Sequence, residues 1–119
     1  MSRQHTGKFD LTIRELQKEI YKSAVEKGWW DNPDRVFGEV ITLIHCELSE
    51  AFEEYRNSQP FGDVRIENGK PEGIPVEMAD AIIRILDWAE SEGVDMEAVI
   101  QMKMNYNRTR PHRHGGKLA

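Results

Sequence analysis

The stretch from Glu77 to Ala89 constrains the fold more than any other part of the chain. At 100° per residue, Met78, Ala79, Ile82, Ile83, Ile85, Leu86 and Ala89 cover more than half of a helical circumference. A surface helix needs a narrower apolar stripe, so this segment must meet neighbours on two sides, one of them in another subunit if the chain assembles. The residual polar stripe is Glu77, Asp80, Arg84 and Asp87, at i, i+3, i+7 and i+10. Other helices have to be found to cover so apolar a rod.

Three more helical segments are legible. Thr12 and Glu15 form a capping box before Ile13, Leu16, Ile20 and Ala24, which share one face, and Gly28 ends that segment. Trp29-Trp30-Asp31 is a short connection. Asn32-Pro33 gives a start signal for a second helix carrying Phe37, Ile41, Ile44, Leu48, Ala51, Phe52 and Tyr55 as far as Asn57-Ser58. A 16-residue loop from Ser58 to Gly73 contains the turn-like Asn68-Gly69; a very small hairpin around Val64-Arg65-Ile66 fits there, without implying a sheet. The third helix begins near Pro75 and ends at Gly93. A fourth begins at Asp95, with Met96, Val99, Ile100 and Met104 facing inward, and frays near Asn107. The fold class expected is an all-α bundle in a single domain, with a core over about 10–107 and a basic tail over 108–119.

The chemistry lies in two acidic pairs of equal spacing, Glu47-x-x-Glu50 and Glu77-x-x-Asp80. Residues three apart share a helix face, so each segment presents two carboxylates together. Glu47, Glu50 and Glu54 fall within about 60° of one another and border the apolar arc of the second helix. Four carboxylates in one small volume cannot all stay ionised without cations, and oxygen-only donors suit Mg²⁺ of the kind that handles phosphates. The bland alternative is a pair of solvated acidic faces. On the projection, Glu77 and Asp80 lie nearly opposite the centre of the apolar arc, so they meet Glu47 and Glu50 only if the second helix flanks that polar stripe.

Around these pairs the sequence resembles the MazG-like all-α nucleoside triphosphate pyrophosphohydrolases. That family's pattern is E-x-x-E followed at a distance by E-x-x-D, here Glu47-Leu-Ser-Glu50 and Glu77-Met-Ala-Asp80 with 26 residues between them. The text from Leu43 to Ala51 looks like the family's second helix, and that from Glu77 to Leu86 like its third. The ending from Lys103 through Asn107, Arg110, Pro111 and His114 to Lys117 is similar to that of small stand-alone, often phage-associated, members. The likeness spans roughly residues 10–117.

The resemblance implies a four-helix bundle completed by oligomerisation. It also implies Mg²⁺, with Mn²⁺ as a substitute, held by Glu47, Glu50, Glu77 and Asp80. The implied reaction takes a nucleoside triphosphate, of either sugar, and water to a nucleoside monophosphate and pyrophosphate. Glu50, and after it Glu47, is the carboxylate to activate the water. Lys103 is the leading partner for the departing phosphates, because the family keeps a lysine in its last helix; Asn107 and Arg110 follow it one and two turns on. Arg84, one turn after Asp80, reaches either a phosphate or, in the structural alternative, Asp80 or Asp87. Trp30, or its neighbour Trp29, offers a ring for a base or simply packs. A homodimer, or dimers paired into a homotetramer, is expected, with the site bordered by helices from two subunits.

Charge and composition narrow the alternatives. The net charge is −5, yet from Lys103 onward there are five basic residues and no acid, so all 21 acids lie in the body. An acidic body argues against a nucleic-acid surface and suits an anion held between metal ions and basic side chains. No stretch approaches the roughly 20 apolar residues of a membrane span, and Met1 to Asp10 contains no apolar run of a leader. A single cysteine, Cys46, precludes an internal disulfide and fits a reducing cytoplasm. His45 projects away from Glu47, and His112 and His114 sit in a glycine-bearing tail. The absence of any Glu-x-x-His argues against a di-iron bundle. The competing function is a non-enzymatic helical metal-binding or interaction module with a basic tail.

Overall fold

The computed structural model describes residues 10–111. The expectations for His112, Arg113, His114, Lys117 and the first nine residues lie outside that range. Within it the chain forms α1 (Ile13–Glu26), α2 (Phe37–Arg56), β1 (Arg65–Glu67), β2 (Lys70–Glu72), α3 (Ile74–Ser91) and α4 (Met96–Arg108). The all-α reading holds, relieved only by one hairpin. No helix among the described residues is long and apolar enough to cross a membrane.

α3 is the central element, with α2 along one side and α1 along another, as its wide apolar arc requires. Among the described residues the buried apolar ones are few: Val40, Ala51, Ala81, Leu86 and Ala89. Three of the five are alanines, one on α2 and two on α3. The capping box at the start of α1 is present, with Thr12 accepting from the Glu15 amide and Glu15 reaching back to the Thr12 amide.

Among the described residues Gln17 is the one fully buried large side chain, a polar residue where a core residue would stand. Its Nε2 donates to Glu90 Oε1 at 2.9 Å and to the Val94 carbonyl at 2.7 Å, and its Oε1 accepts from the Met96 amide at 3.2 Å. One amide thereby ties α1 to the end of α3 and the start of α4. Burial costs little here because every strong hydrogen-bonding group of the side chain is engaged.

Two expectations are corrected, and the small hairpin allowed for in the loop is present. The second helix starts at Phe37, not at Pro33, because the Asn32 side chain accepts from the Asp34 amide at 2.9 Å and closes a local turn instead. The loop holds a true two-stranded antiparallel ladder with Arg65 opposite Glu72 and Glu67 opposite Lys70. Asn68 and Gly69 both take positive φ, 53° and 77°, as a two-residue hairpin turn demands. Finally, α4 packs chiefly on α1 through its first turns. Val99 and Met104, expected inside, are 43% and 50% exposed, and Gln101 to Thr109 are exposed throughout.

Candidate metal centre

α2 and α3 run antiparallel past the acidic residues: Glu47 meets Arg84, while Glu50, further along α2, faces Glu77, earlier on α3. The polar stripe of α3 is thus flanked by α2, the condition on which the two acidic pairs depended. One oxygen from each of Glu47, Glu77 and Asp80 lies within 4.8 Å of the others. Glu50 is exposed at the rim of this triad. Glu54, the other acid on that face of α2, is withdrawn from it by Arg65, whose Nη2 donates to Glu54 Oε2 at 3.1 Å while Nη1 reaches Gln59. The same arginine anchors the hairpin to α2.

Gly73 sets the entry to α3 and hence the place of Glu77. It is buried at φ 134°, where a Cβ would collide with the carbonyl oxygen of Asp63, and its own carbonyl accepts from the Glu77 amide at 3.1 Å. Only glycine allows the loop to cross the helix start so closely. Glu77 is left 8% exposed, and its Oε2 is buried without a hydrogen-bond partner.

The electrostatics match this crowding. Burial, then the neighbouring carboxylates of Glu50 and Glu47, push the Glu77 carboxyl up to about 8. Burial and Glu47 also raise Asp80, with Arg84 pulling the other way. Arg84 Nε donates to Glu47 Oε1 at 2.9 Å, so its ion pair crosses to α2 instead of running within α3. This guanidinium neutralises one of the three carboxylates from one side only.

Would a divalent cation suit this donor set? The triad offers oxygen ligands alone, without thiolate or imidazole, the pattern preferred by Mg²⁺ and Mn²⁺. Two of the three acids are buried and one buried oxygen is orphaned, an arrangement that a cation would relieve. The residues therefore fit such an ion.

Two hollows adjoin the triad. A cavity of about 310 Å³ opens between α1, the connection after it and α3, sharing Glu47 and Asp80 with the triad and bearing Arg84, Arg35 and Lys27. On the opposite side, an acidic cleft of about 330 Å³ runs along Glu50, Glu53 and Glu77 toward the hairpin.

The remaining candidates are placed differently. Trp29, 54% exposed, lines the cavity; Trp30 does not. The Trp30 indole donates to Asp87 Oδ1 at 2.9 Å and carries the Arg35 guanidinium 4.9 Å above its ring. Lys103, Asn107 and Arg110 stand on or just past the exposed end of α4 and line neither hollow within this one chain; the Lys103 ammonium rests 4.8 Å from the centre of the Tyr106 ring. His45 and Cys46 are both exposed. Sequence reasoning missed Arg35 and Lys27, because the first sits in a segment read as helix and the second at a helix end with no pattern around it.

In comparisons with known proteins, no family model, curated protein or solved structure matches this chain.

Proposed function

We propose that the protein is a Mg²⁺-dependent nucleoside triphosphate pyrophosphohydrolase, as its resemblance to the MazG-like enzymes implies. The observation that carries this reading is the triad of Glu47, Glu77 and Asp80, gathered from two helices with a buried, unpartnered Glu77 oxygen. Acidic side chains merely decorating a surface have no reason to be buried against one another.

In the proposed reaction, water attacks the α-phosphorus, the α–β bridging P–O bond breaks, and pyrophosphate leaves from a nucleoside monophosphate. Glu47, Glu77 and Asp80 would hold Mg²⁺, which when bound neutralises phosphate charge and makes a bound water a better nucleophile. Glu50, exposed at the rim and facing Glu77, orients the attacking water and takes its proton. Arg84, Arg35 and Lys27 on the cavity side supply positive charge for the phosphates, a task of positioning and charge stabilisation without a covalent intermediate.

We infer further that the chain works as a homodimer or a homotetramer. Large apolar residues are exposed on several faces, among them Phe52, Tyr55 and Phe61, whose rings stack in sequence, and Ile82 and Met78 on α3. Contiguous exposed apolar side chains on a small domain suit an interaction surface. A second copy covering them would also give the exposed end of α4, with Lys103, Asn107 and Arg110, a site to serve.

The test is product analysis: with Mg²⁺ and a panel of ribo- and deoxyribonucleoside triphosphates, pyrophosphate and the monophosphate appear in equal amounts. Release of orthophosphate with a nucleoside diphosphate would sink the reading.

A further inference from the structure

The cavity beside the triad combines charged, aliphatic and aromatic lining. Toward α2 and the middle of α3 it is charged, with Glu47, Asp80 and Arg84. Along α1 the lining mixes Ile20 and Ala24 with Ser23 and Lys27, Ile83 adds apolar surface from α3, and the half-exposed Trp29 has the Arg84 guanidinium 6.0 Å from its ring centre. At about 310 Å³ it is at the small end of the range for specific small-molecule pockets. A flat heteroaromatic ring suits the exposed Trp29 and the aliphatic lining beside it, while an attached phosphate chain would run toward the triad and the basic side chains. Tryptophan stacks on any base, so Trp29 gives affinity without choice.

Choice requires a directional polar group, and Asp87 is the acid that lines the cavity away from the triad. Its carboxylate is fixed in orientation because Oδ1 accepts the Trp30 indole N–H at 2.9 Å. Trp30 is in turn held by the Arg35 guanidinium over its ring and by Tyr21, with ring centres 6.0 Å apart. Asp87 makes no other hydrogen bond among the described residues, which leaves Oδ2 as an acceptor. An ionised carboxylate accepts and never donates, so it welcomes an amino group and repels a carbonyl.

We propose that this cavity is the nucleoside pocket and that Asp87 selects bases presenting an amino group, as cytosine and adenine do, over those presenting a carbonyl there, as uracil and thymine do. The assignment rests on the pyrophosphohydrolase reading and adds to it the substrate class and the residue that chooses. Trp30 acts as a positioning residue: it sets which oxygen of Asp87 is left for the base.

Asp87→Asn makes the idea sharply testable. The indole N–H of Trp30 still requires an acceptor, so the new amide keeps its oxygen there and turns its NH₂ to where Oδ2 stood. An acceptor becomes a donor with almost no change of shape, and the preference reverses. Equilibrium binding of dCMP and dUMP, without metal and without turnover, reads this directly. The wild-type protein binds dCMP at least about tenfold more tightly than dUMP, the discrimination of one hydrogen bond to a charged group. In Asp87→Asn the ratio falls below one. Trp29→Ala weakens both ligands alike and preserves the ratio.

A wild-type ratio near one overturns the assignment of Asp87, whatever the variants do, and so does a ratio unchanged in a folded Asp87→Asn protein. Unaltered binding in Trp29→Ala places the base elsewhere and overturns the pocket. Those failures leave the enzymatic reading intact if pyrophosphate is still released from some triphosphate; no release from any of them removes both.

Discussion

Metal-free protein should lose stability as the pH rises from about 5 to about 8.5, and Glu77→Gln should abolish most of that loss. In the folded chain the Glu77 carboxyl titrates near 8 against an ordinary value of 4.5, raised by burial and then by Glu50 and Glu47. Between those two values the folded state holds a proton that the unfolded state has released. Stability therefore falls with rising pH across that window and levels off above it. The full displacement corresponds to roughly 5 kcal/mol. The rim of the triad is open to solvent at Glu50 and the three glutamates share protons, so about 1–2 kcal/mol is the realistic span. For a domain near 100 residues that is a fall of about 5–15 °C in Tm.

Glutamine resembles protonated glutamate, so the variant should match wild type near pH 5 and exceed it near pH 8.5. Thermal unfolding followed by circular dichroism, at matched ionic strength in chelator, gives both curves. Mg²⁺ at about a hundredfold over its dissociation constant should restore about 2.7 kcal/mol to wild type at the higher pH. The variant should gain much less. Parallel pH profiles for the two proteins would show that Glu77 is not held in the strained ionisation described above.

Other consequences can be checked separately. Glu50→Gln should lower pyrophosphate release by about 10²-fold or more while the helical spectrum stays as in wild type and Tm does not fall, since Glu50 is exposed and its charge crowds Glu77. Gly73→Ala should destabilise by about 1–3 kcal/mol in denaturant unfolding, because a side chain at φ 134° meets the Asp63 carbonyl. Gln17→Leu should cost about 2–3 kcal/mol by the same measurement, leaving the Val94 carbonyl and the Met96 amide without their Gln17 partner and Glu90 with Arg14 alone. Sedimentation should report a dimer or tetramer whose association weakens in Phe52→Ser/Phe61→Ser; a monomer at all concentrations would contradict the assembly.

The helices were legible because their signals are local. Thr12 with Glu15, Gly28 and Gly93 at positive φ, and Asp95 accepting from the Ala98 amide are capping chemistry written into neighbouring residues. The start of α2 was misplaced because Asn32-Pro33 is an equally good turn, and only the Asn32–Asp34 hydrogen bond decides between them. Gln17 and the Arg84–Glu47 pair were invisible for a different reason: each joins residues far apart in the chain, 79 positions from Gln17 to Met96 and 37 from Glu47 to Arg84. The acidic spacing showed that each pair shares a face. That the faces meet follows from which side of α3 receives α2, a matter of packing among Ala51, Ala81 and their neighbours. The inward placing of Val99 and Met104 failed because helical periodicity reveals an apolar face and not what covers it.

Titration of Mn²⁺, followed by the loss of its free-ion electron paramagnetic resonance signal, tests the central claim most directly. Wild-type protein at pH 8.5 should take up the ion at the triad, Mg²⁺ should displace it, and Glu77→Gln and Asp80→Asn should each weaken uptake by about tenfold or more while remaining folded. Uptake that is absent, or equally strong in both variants, would mean that Glu47, Glu77 and Asp80 are gathered for some purpose other than holding a cation.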